Sequence, residues 1–278
     1  LHCNFFAAYN QTKLRLGNDI SGEMPVRVIG NMAEKTIVII PTYNEIENIE
    51  AIVREVFAQP GGFHIMVIDD GSPDGTANRV QALQMEFPER LFLECRQGKL
   101  GLGTAYLYGF AIALRNGYDY IFEMDADFSH DPGDLPRLLR TCAEGGYDVA
   151  IGSRYINGVT VINWPIDRVI MSYFASYYVR KVTGMPVMDA TAGFKCYRRQ
   201  VLETIDLNKI RFIGYAFQIE MKFLAWKFGF QLKEVPVIFK DREKGVSKMS
   251  VKIFREAFLG VIHLKINSWF RTFHRSAS

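Results

Sequence analysis

The chain has 278 residues, 49% of them apolar and 23% charged, with a net charge of +3. This is an ordinary globular balance with apolar material for a sizeable core; the charge is too small to mark a nucleic-acid surface, and no apolar run comes near the roughly 18–20 residues that cross a bilayer. The four cysteines, Cys3, Cys95, Cys142 and Cys196, lie far apart in sequence and fit no zinc spacing with histidine, so reduced thiols are expected.

Residues 1–31 show no sustained period; Met32, just before the first strand pattern, is expected to be the natural start, with the preceding stretch a weakly ordered extension. The β-branched run 36–40 predicts a buried strand that Pro41 ends. Thr42-Tyr43-Asn44-Glu45 follows as a loop, and Ile49, Ile52, Val53, Val56 and Phe57 mark one helix face, closed by Pro60-Gly61-Gly62. Residues 65–68 predict a second strand ending in Asp69-Asp70-Gly71-Ser72-Pro73-Asp74-Gly75, then a helix from Thr76 towards Phe87. A third strand is expected over 91–94, and the glycine-rich loop from Gln97 to Gly103 opens a helix through Ala113. The apolar run Tyr120, Ile121, Phe122, Met124 is a strand that ends in Asp125-Ala126-Asp127. A helix over 134–144 turns Leu135, Leu138 and Leu139 inward and stops at Gly145-Gly146, and a fifth strand over 149–151 leads into Gly152-Ser153-Arg154.

Strands alternating with helices of this length predict βαβ crossovers and a mainly parallel sheet over residues 33–155. The remainder is less regular: an aromatic-rich helix over 170–182, a strand within 189–199, a helix over 217–228, a strand over 231–239, a polar loop over 240–250 and a basic amphipathic helix to about residue 273. No repeat and no linker interrupts the chain. A single α/β domain is expected over residues 32–250, with an amphipathic helix and tail over 251–278.

Carboxylates recur where strands end, and that rim is where open α/β sheets bind ligands. Asp125 and Asp127 flank one residue at such an end. A chain turn there lets both oxygens converge on a hard cation that shares a phosphate; an acidic loop capping the next helix explains the same tripeptide. An EF-hand is excluded, because His130 and Pro136 stand where Gly and Glu are needed. Asp69-Asp70 has turn chemistry as its alternative, and Asn44 fits a helix cap with Glu47 three residues on, which leaves Tyr43 unexplained. The Lys99 loop lacks both GxGxxG and the Walker pattern, which disfavours dinucleotide and P-loop sites. Arg154 after a strand end, and Lys240, Arg242, Lys244 and Lys248 in one loop, are either a solvated basic face or a clamp on phosphate.

Seven stretches occur in order: IVIIPTYNE from Ile37, VIDDGSPDGT from Val67, KLGLGTAY from Lys99, MDADFSHDP from Met124, GSRY from Gly152, DATAGFKCYRR from Asp189 and DREKGVSK from Asp241. Together they resemble the dolichyl- or polyprenyl-phosphate mannosyltransferases, within the inverting GT-A glycosyltransferases of family 2. The resemblance spans residues 35–255 and implies a GT-A fold with a Rossmann-like, mainly parallel sheet. It implies GDP-mannose held on its nucleoside side by Pro41, Tyr43, Glu45, Ile68 and Asp70. Asp125, Ala126 and Asp127 would lie at the diphosphate and a divalent metal, Mg2+ or Mn2+, with Ser129 where some relatives have a Gln ligand. Arg154, Arg242 and Lys248 would hold phosphates of donor and acceptor, and Asp127, Arg242 and Lys248 would carry catalysis. The acceptor implied is a polyprenyl or dolichyl monophosphate. The Gln-x-x-Arg-Trp motif of processive synthases is missing, with Gln218-Ile219-Glu220 in that region, so chain elongation is disfavoured. Peripheral contact with the cytoplasmic face of a membrane is expected, by the final helix or through a membrane-anchoring partner subunit. A UDP-sugar donor and a catalytically silent nucleotide-sugar-binding protein are the rival readings.

Overall fold

A computed structural model of the chain describes residues 34–241 and 251–275. The extension expected over 1–31, and Arg242 and Lys248, lie outside the described residues. In chain order the elements are β1 (Thr36–Thr42), α1 (Ile49–Ala58), β2 (His64–Asp69), α2 (Thr76–Glu86), β3 (Leu91–Cys95), α3 (Leu102–Arg115), β4 (Tyr120–Glu123) and α4 (Leu135–Ala143). They continue as β5 (Val149–Ser153), β6 (Val161–Ile162), α5 (Ile166–Thr183), β7 (Lys195–Arg198), α6 (Arg199–Thr204), α7 (Tyr215–Lys227), β8 (Leu232–Pro236), β9 (Phe239–Lys240) and α8 (Val251–Trp269).

Seven strands form one sheet in the order β3-β2-β1-β4-β7-β5-β8, and β6 pairs with β9 in a small separate ribbon. Only β7 runs antiparallel, between β4 and β5. Alternation along each strand explains the continuous apolar runs. Ile37, Ile39, Met66, Ile68 and Ile121 pack into the core on the α3 and α7 side. Val38, Ile40, Ile65, Val67 and Phe122 pack against α1, α2 and α4 on the other. A sheet covered on both faces needs apolar residues at every position.

Two expectations change in this layer. Pro41 does not end β1, which continues to Thr42 with Pro41 opposite Ile68 and Thr42 opposite Asp69. The Ile39 carbonyl bonds Met124 on the β4 side and the Thr42 carbonyl bonds Asp70 on the β2 side. By alternation Pro41 faces the β4 side, beyond the last β1–β4 pair, Ile39 with Glu123, so its missing N–H costs no ladder bond. Asn44 is not the helix cap: it adopts φ 62° in the loop, and α1 begins after Asn48. Cys142 and Cys196, distant in sequence, are brought together by α4 packing on β7, with the Cys142 thiol 3.7 Å from the Cys196 carbonyl; both are free.

α3 lies close against β1 at Gly109, where a Cβ would sit 2.8 Å from an Ile39 methyl. Ile39 is fully buried and has nowhere to move. Gly109→Ala is therefore expected to destabilise the fold by about 1–3 kcal/mol through overpacking. A denaturation midpoint equal to that of the unaltered chain would refute this close approach.

Candidate active site

β1, β2, β4 and β5 run parallel or share one polarity, so their C-terminal ends meet along one rim. At the β2 end the two aspartates have different partners. Asp69 accepts from the Thr42 hydroxyl (2.8 Å), the Ser72 N–H (2.9 Å) and the Ser72 hydroxyl (2.6 Å), so it builds the turn. Asp70 pairs with Arg96 at 2.6 Å and accepts the Leu100 N–H at 3.1 Å, which ties the rim to the glycine-rich loop before α3. The Lys99 ammonium lies 4.7 Å from the Tyr43 ring centre. Glu45 accepts from the Asn48 side chain at 3.0 Å. Ile68 is fully buried in the core, so only its backbone reaches the rim.

At the β4 end the chain turns through Phe128, which holds a left-handed φ of 59°. Such a backbone persists only when its surroundings enforce it. Here Asp127 does so, accepting from the Ser129 N–H (3.1 Å) and hydroxyl (2.6 Å). Asp125 accepts from the buried Tyr106 hydroxyl at 3.1 Å, and its own N–H donates to His130 Nδ1 at 3.2 Å. That bond makes Nδ1 an acceptor. The imidazole is stacked on Phe194 at 5.0 Å and edge-on to Phe239 at 5.5 Å. Burial pushes the Asp125 carboxyl up; His130 opposes that rise and the Asp127 charge adds to it.

Asp125, Asp127, Ser129 and His130 line a cavity of about 490 Å³. Arg154, Trp164, Arg168 and Asp241 also line it, and α5 and α8 supply apolar lining that includes Phe174, Tyr178, Phe258 and Val261. Arg154 is held by Asp189, with bonds of 2.7 and 2.6 Å from its guanidinium and 3.0 Å from its N–H, and it also donates to Thr191 at 2.8 Å. Burial alone would raise the Asp189 carboxyl, but the Arg154 charge and its hydrogen bonds outweigh it and hold the group below the usual range. Arg168 pairs with Asp241 at 2.7 Å and lies 4.1 Å over Trp164.

Of the residues expected from sequence, Asp125, Asp127, Ser129 and Arg154 share the cavity, with Ala126 buried between the two carboxylates. Pro41, Tyr43, Glu45, Ile68 and Asp70 stand at the neighbouring β1 and β2 ends rather than in its lining. Arg242 and Lys248 follow directly after Asp241, outside the described residues. Sequence reasoning gave no site role to Tyr106, His130, Trp164, Arg168 or Gln218. His130 and Tyr106 stand inside the quoted stretches, but their roles depend on contacts with Asp125 that no spacing announces.

The residues fit a divalent cation. The Asp127 charge adds to the cost of ionising Asp125, which a divalent cation at the turn would reverse. Among the described residues no group of three or more His, Cys, Asp or Glu is placed to hold a metal. Oxygens of a phosphate and water would complete the shell, as Mg2+ and Mn2+ sites accept.

The profile of Glycosyl transferase family 2 matches residues 37–206, which carry most of the sheet and the acidic turn. The chain belongs to glycosyltransferase family 2. A polyprenol monophosphomannose synthase of Mycolicibacterium smegmatis is 48% identical over 241 residues, 87% of this chain and 90% of that protein. An undecaprenyl-phosphate mannosyltransferase of Micrococcus luteus is 41% identical over 227 residues, 82% of this chain and 92% of that one. Among solved structures, glucosyl-3-phosphoglycerate synthase from Mycobacterium tuberculosis, in complex with Mn2+, UDP and glucosyl-3-phosphoglycerate, superposes with a TM-score of 0.61 at 16% identity, covering 89% of this chain and 86% of that one. The mannosyltransferase PcManGT from Pyrobaculum calidifontis, in complex with GDP-Man and Mn2+, gives 0.52 at 16% identity, covering 86% and 72%. These neighbours share the GT-A-like fold of this glycosyltransferase, a single domain with a mostly parallel sheet between helices.

Proposed function

We propose that this glycosyltransferase moves mannose from GDP-mannose to a polyprenyl monophosphate, with inversion at the anomeric carbon, at the cytoplasmic face of a membrane. One observation carries the reading: a single cavity joins the acidic turn to an apolar chamber between α5 and α8. A nucleotide-sugar enzyme with a water-soluble acceptor has no use for that chamber, whereas a lipid phosphate needs both ends. The names of the two curated relatives support the mannosyl group and the polyprenyl acceptor, and the GDP-Man and Mn2+ in PcManGT support the donor and metal.

In this reading Tyr43, Glu45 and Asp70 hold the nucleoside at the β1 and β2 ends. Asp125 and Asp127 would hold the divalent cation, which would supply charge neutralisation for the departing diphosphate. Ser129, whose hydroxyl donates to Asp127, would be a further oxygen ligand. Arg154, with Arg242 and Lys248 from the segment after Asp241, offsets repulsion between the two phosphates and aligns them. Arg168, in the same lining, adds a cation for the acceptor headgroup. A phosphate monoester has its second pKa at about 6, so the nucleophile is already largely anionic at neutral pH and requires no strong general base. One displacement from the face opposite GDP gives a β-linked product. GDP release from GDP-mannose that depends on added polyprenyl phosphate is the direct test; equal release without the lipid would remove the acceptor from the reading.

The outer faces of α5 and α8 support delivery of that lipid from a membrane. Ile166 and Ile170 on α5, and Leu259, Ile262, Ile266 and Trp269 on α8, are exposed at helical spacing, followed by Phe270. The Tyr178 and Phe258 rings stack at 4.3 Å and join the two helices. No described helix is long and apolar enough to cross a bilayer, so this surface would lie at the interface. Trp269→Ser combined with Phe270→Ser is expected to lower activity on long-chain lipid in vesicles by about tenfold or more, the cost of losing two interfacial aromatic side chains. Activity on a short, detergent-free analogue should stay within about twofold, since RT ln 2 is below the worth of one such contact. Equal losses on both substrates would argue against a membrane-facing surface.

A further inference from the structure

Behind the acidic turn lies a set of fully buried charges that the reaction does not use. Glu123, the residue before Met124 and Asp125, accepts from Tyr197 at 3.0 Å, from Lys195 at 2.9 Å and from Gln218 at 2.8 Å. Lys195 also donates to Gln218. One turn along α7 from Gln218, Lys222 is fully buried, and its amine donates to the Ala192 carbonyl at 2.6 Å. Lys195 reaches the same carbonyl at 3.5 Å. Two lysines thus share one backbone carbonyl in the core, and only Lys195 bonds the Glu123 carboxylate.

Lys222 is a poor choice for stability. A buried amine with one acceptor forgoes most of its hydration, and a well-packed apolar side chain of similar volume is commonly as good or better at such a position. Burial first, then the Lys195 charge, pushes its pKa well below the ordinary range, with Asp189 and Glu123 opposing and Arg154 reinforcing the fall. What it holds gives it a use. Ala192 lies near the end of the segment 188–193. The start of that segment is clamped by Glu234, whose carboxylate accepts the Met188 N–H at 2.7 Å and the Asp189 N–H at 2.8 Å. Between the clamps stand Asp189 and Thr191, which fix Arg154. Thr191, Ala192 and Gly193 line the cavity beside Asp127 and His130.

We propose that Lys222 is a positioning residue: through the Ala192 carbonyl it fixes the 188–193 segment, and with it Arg154 and the floor on which the acceptor phosphate meets the donor sugar. The inference rests on the functional reading above. It places the effect of Lys222 at the acceptor end, because the nucleoside contacts stand at the β1 and β2 ends, outside the cavity lining.

Lys222→Met keeps the volume and removes the donor; Lys222→Gln keeps a donor for the carbonyl without an amine. Steady-state kinetics with GDP-mannose and a polyprenyl phosphate, beside thermal denaturation, separate the cases. For Lys222→Met the expected result is a KM for the lipid raised by about tenfold, the scale on which small misplacements near a reacting centre are felt. The KM for GDP-mannose should stay within about twofold and the melting temperature should be equal or higher. Lys222→Gln should recover most of the lipid KM. Unchanged lipid kinetics in a folded Lys222→Met protein overturn the proposal, as do equal rises in both KM values or a loss of activity that only tracks a lower melting temperature. If the unaltered enzyme transfers no mannose to lipid, the functional reading fails; if it does and Lys222→Met matches it, the positioning role alone fails.

Discussion

Replacing Asp127 with alanine is expected to lower mannosyl transfer on the order of a hundredfold or more, the usual cost of losing one preorganised charge at a reacting centre. Two effects combine. The variant loses a carboxylate that faces the cavity beside Asp125, and it frees the Ser129 N–H and hydroxyl, which hold the Phe128 backbone in its left-handed turn. Asp127→Asn separates them. Its amide oxygen can still accept from Ser129, so the turn survives while the charge is gone. If the cation role dominates, the asparagine variant falls nearly as far as the alanine variant. If the turn dominates, asparagine restores most of the rate. Rates near those of the unaltered chain in a folded Asp127→Ala protein would exclude Asp127 from the reaction.

Asp189→Ala is expected to cost about 3–5 kcal/mol of stability, because it leaves a buried guanidinium without its partner. Asp189 is fully buried, and its carboxylate takes three bonds from Arg154. Asp189 is ionised below its usual range, so its contribution is present above the ordinary carboxylate pKa and is lost as pH falls through the lower folded value. The gap between the two proteins in urea denaturation should therefore be widest near neutral pH and narrow only in strong acid. A gap below about 1 kcal/mol would mean that Arg154 finds another partner and that the pair is not what fixes it. Lys222→Met is expected to behave in the opposite way, with stability kept and lipid kinetics impaired, and that contrast separates a group that holds the fold from one that holds the site.

The parallel half of the sheet was legible because its strands are covered on both faces. Runs such as Ile37 to Ile40 and Ile65 to Ile68 leave no polar position, and the carboxylates that follow them mark the rim. The acidic turn could be located for the same reason. Pro41 misled, because whether a proline ends a strand depends on which neighbour its nitrogen faces, and β4 has already ended there. β7 has four residues and runs against both neighbours, an arrangement set by the sheet it enters rather than by its own pattern. Within the site, the partners that fix each charge come from distant segments: Arg168 finds Asp241 73 residues away and Lys195 finds Glu123 72 residues away. Lys222 looks in sequence like a solvated helix charge; only the packing of α7 under the 188–193 segment makes it a buried one.

The most direct measurement is transfer of radiolabel from GDP-mannose into the organic phase with a polyprenyl phosphate present, with and without a chelator, and with UDP-glucose as the competing donor. Label that enters the lipid only when the polyprenyl phosphate is supplied, disappears with the chelator, returns with Mg2+ or Mn2+ and is displaced by GDP but not by UDP is the expected result. Label in the lipid that is indifferent to the chelator, or found only with the UDP sugar, would contradict a GDP-mannose site built on Asp125 and Asp127.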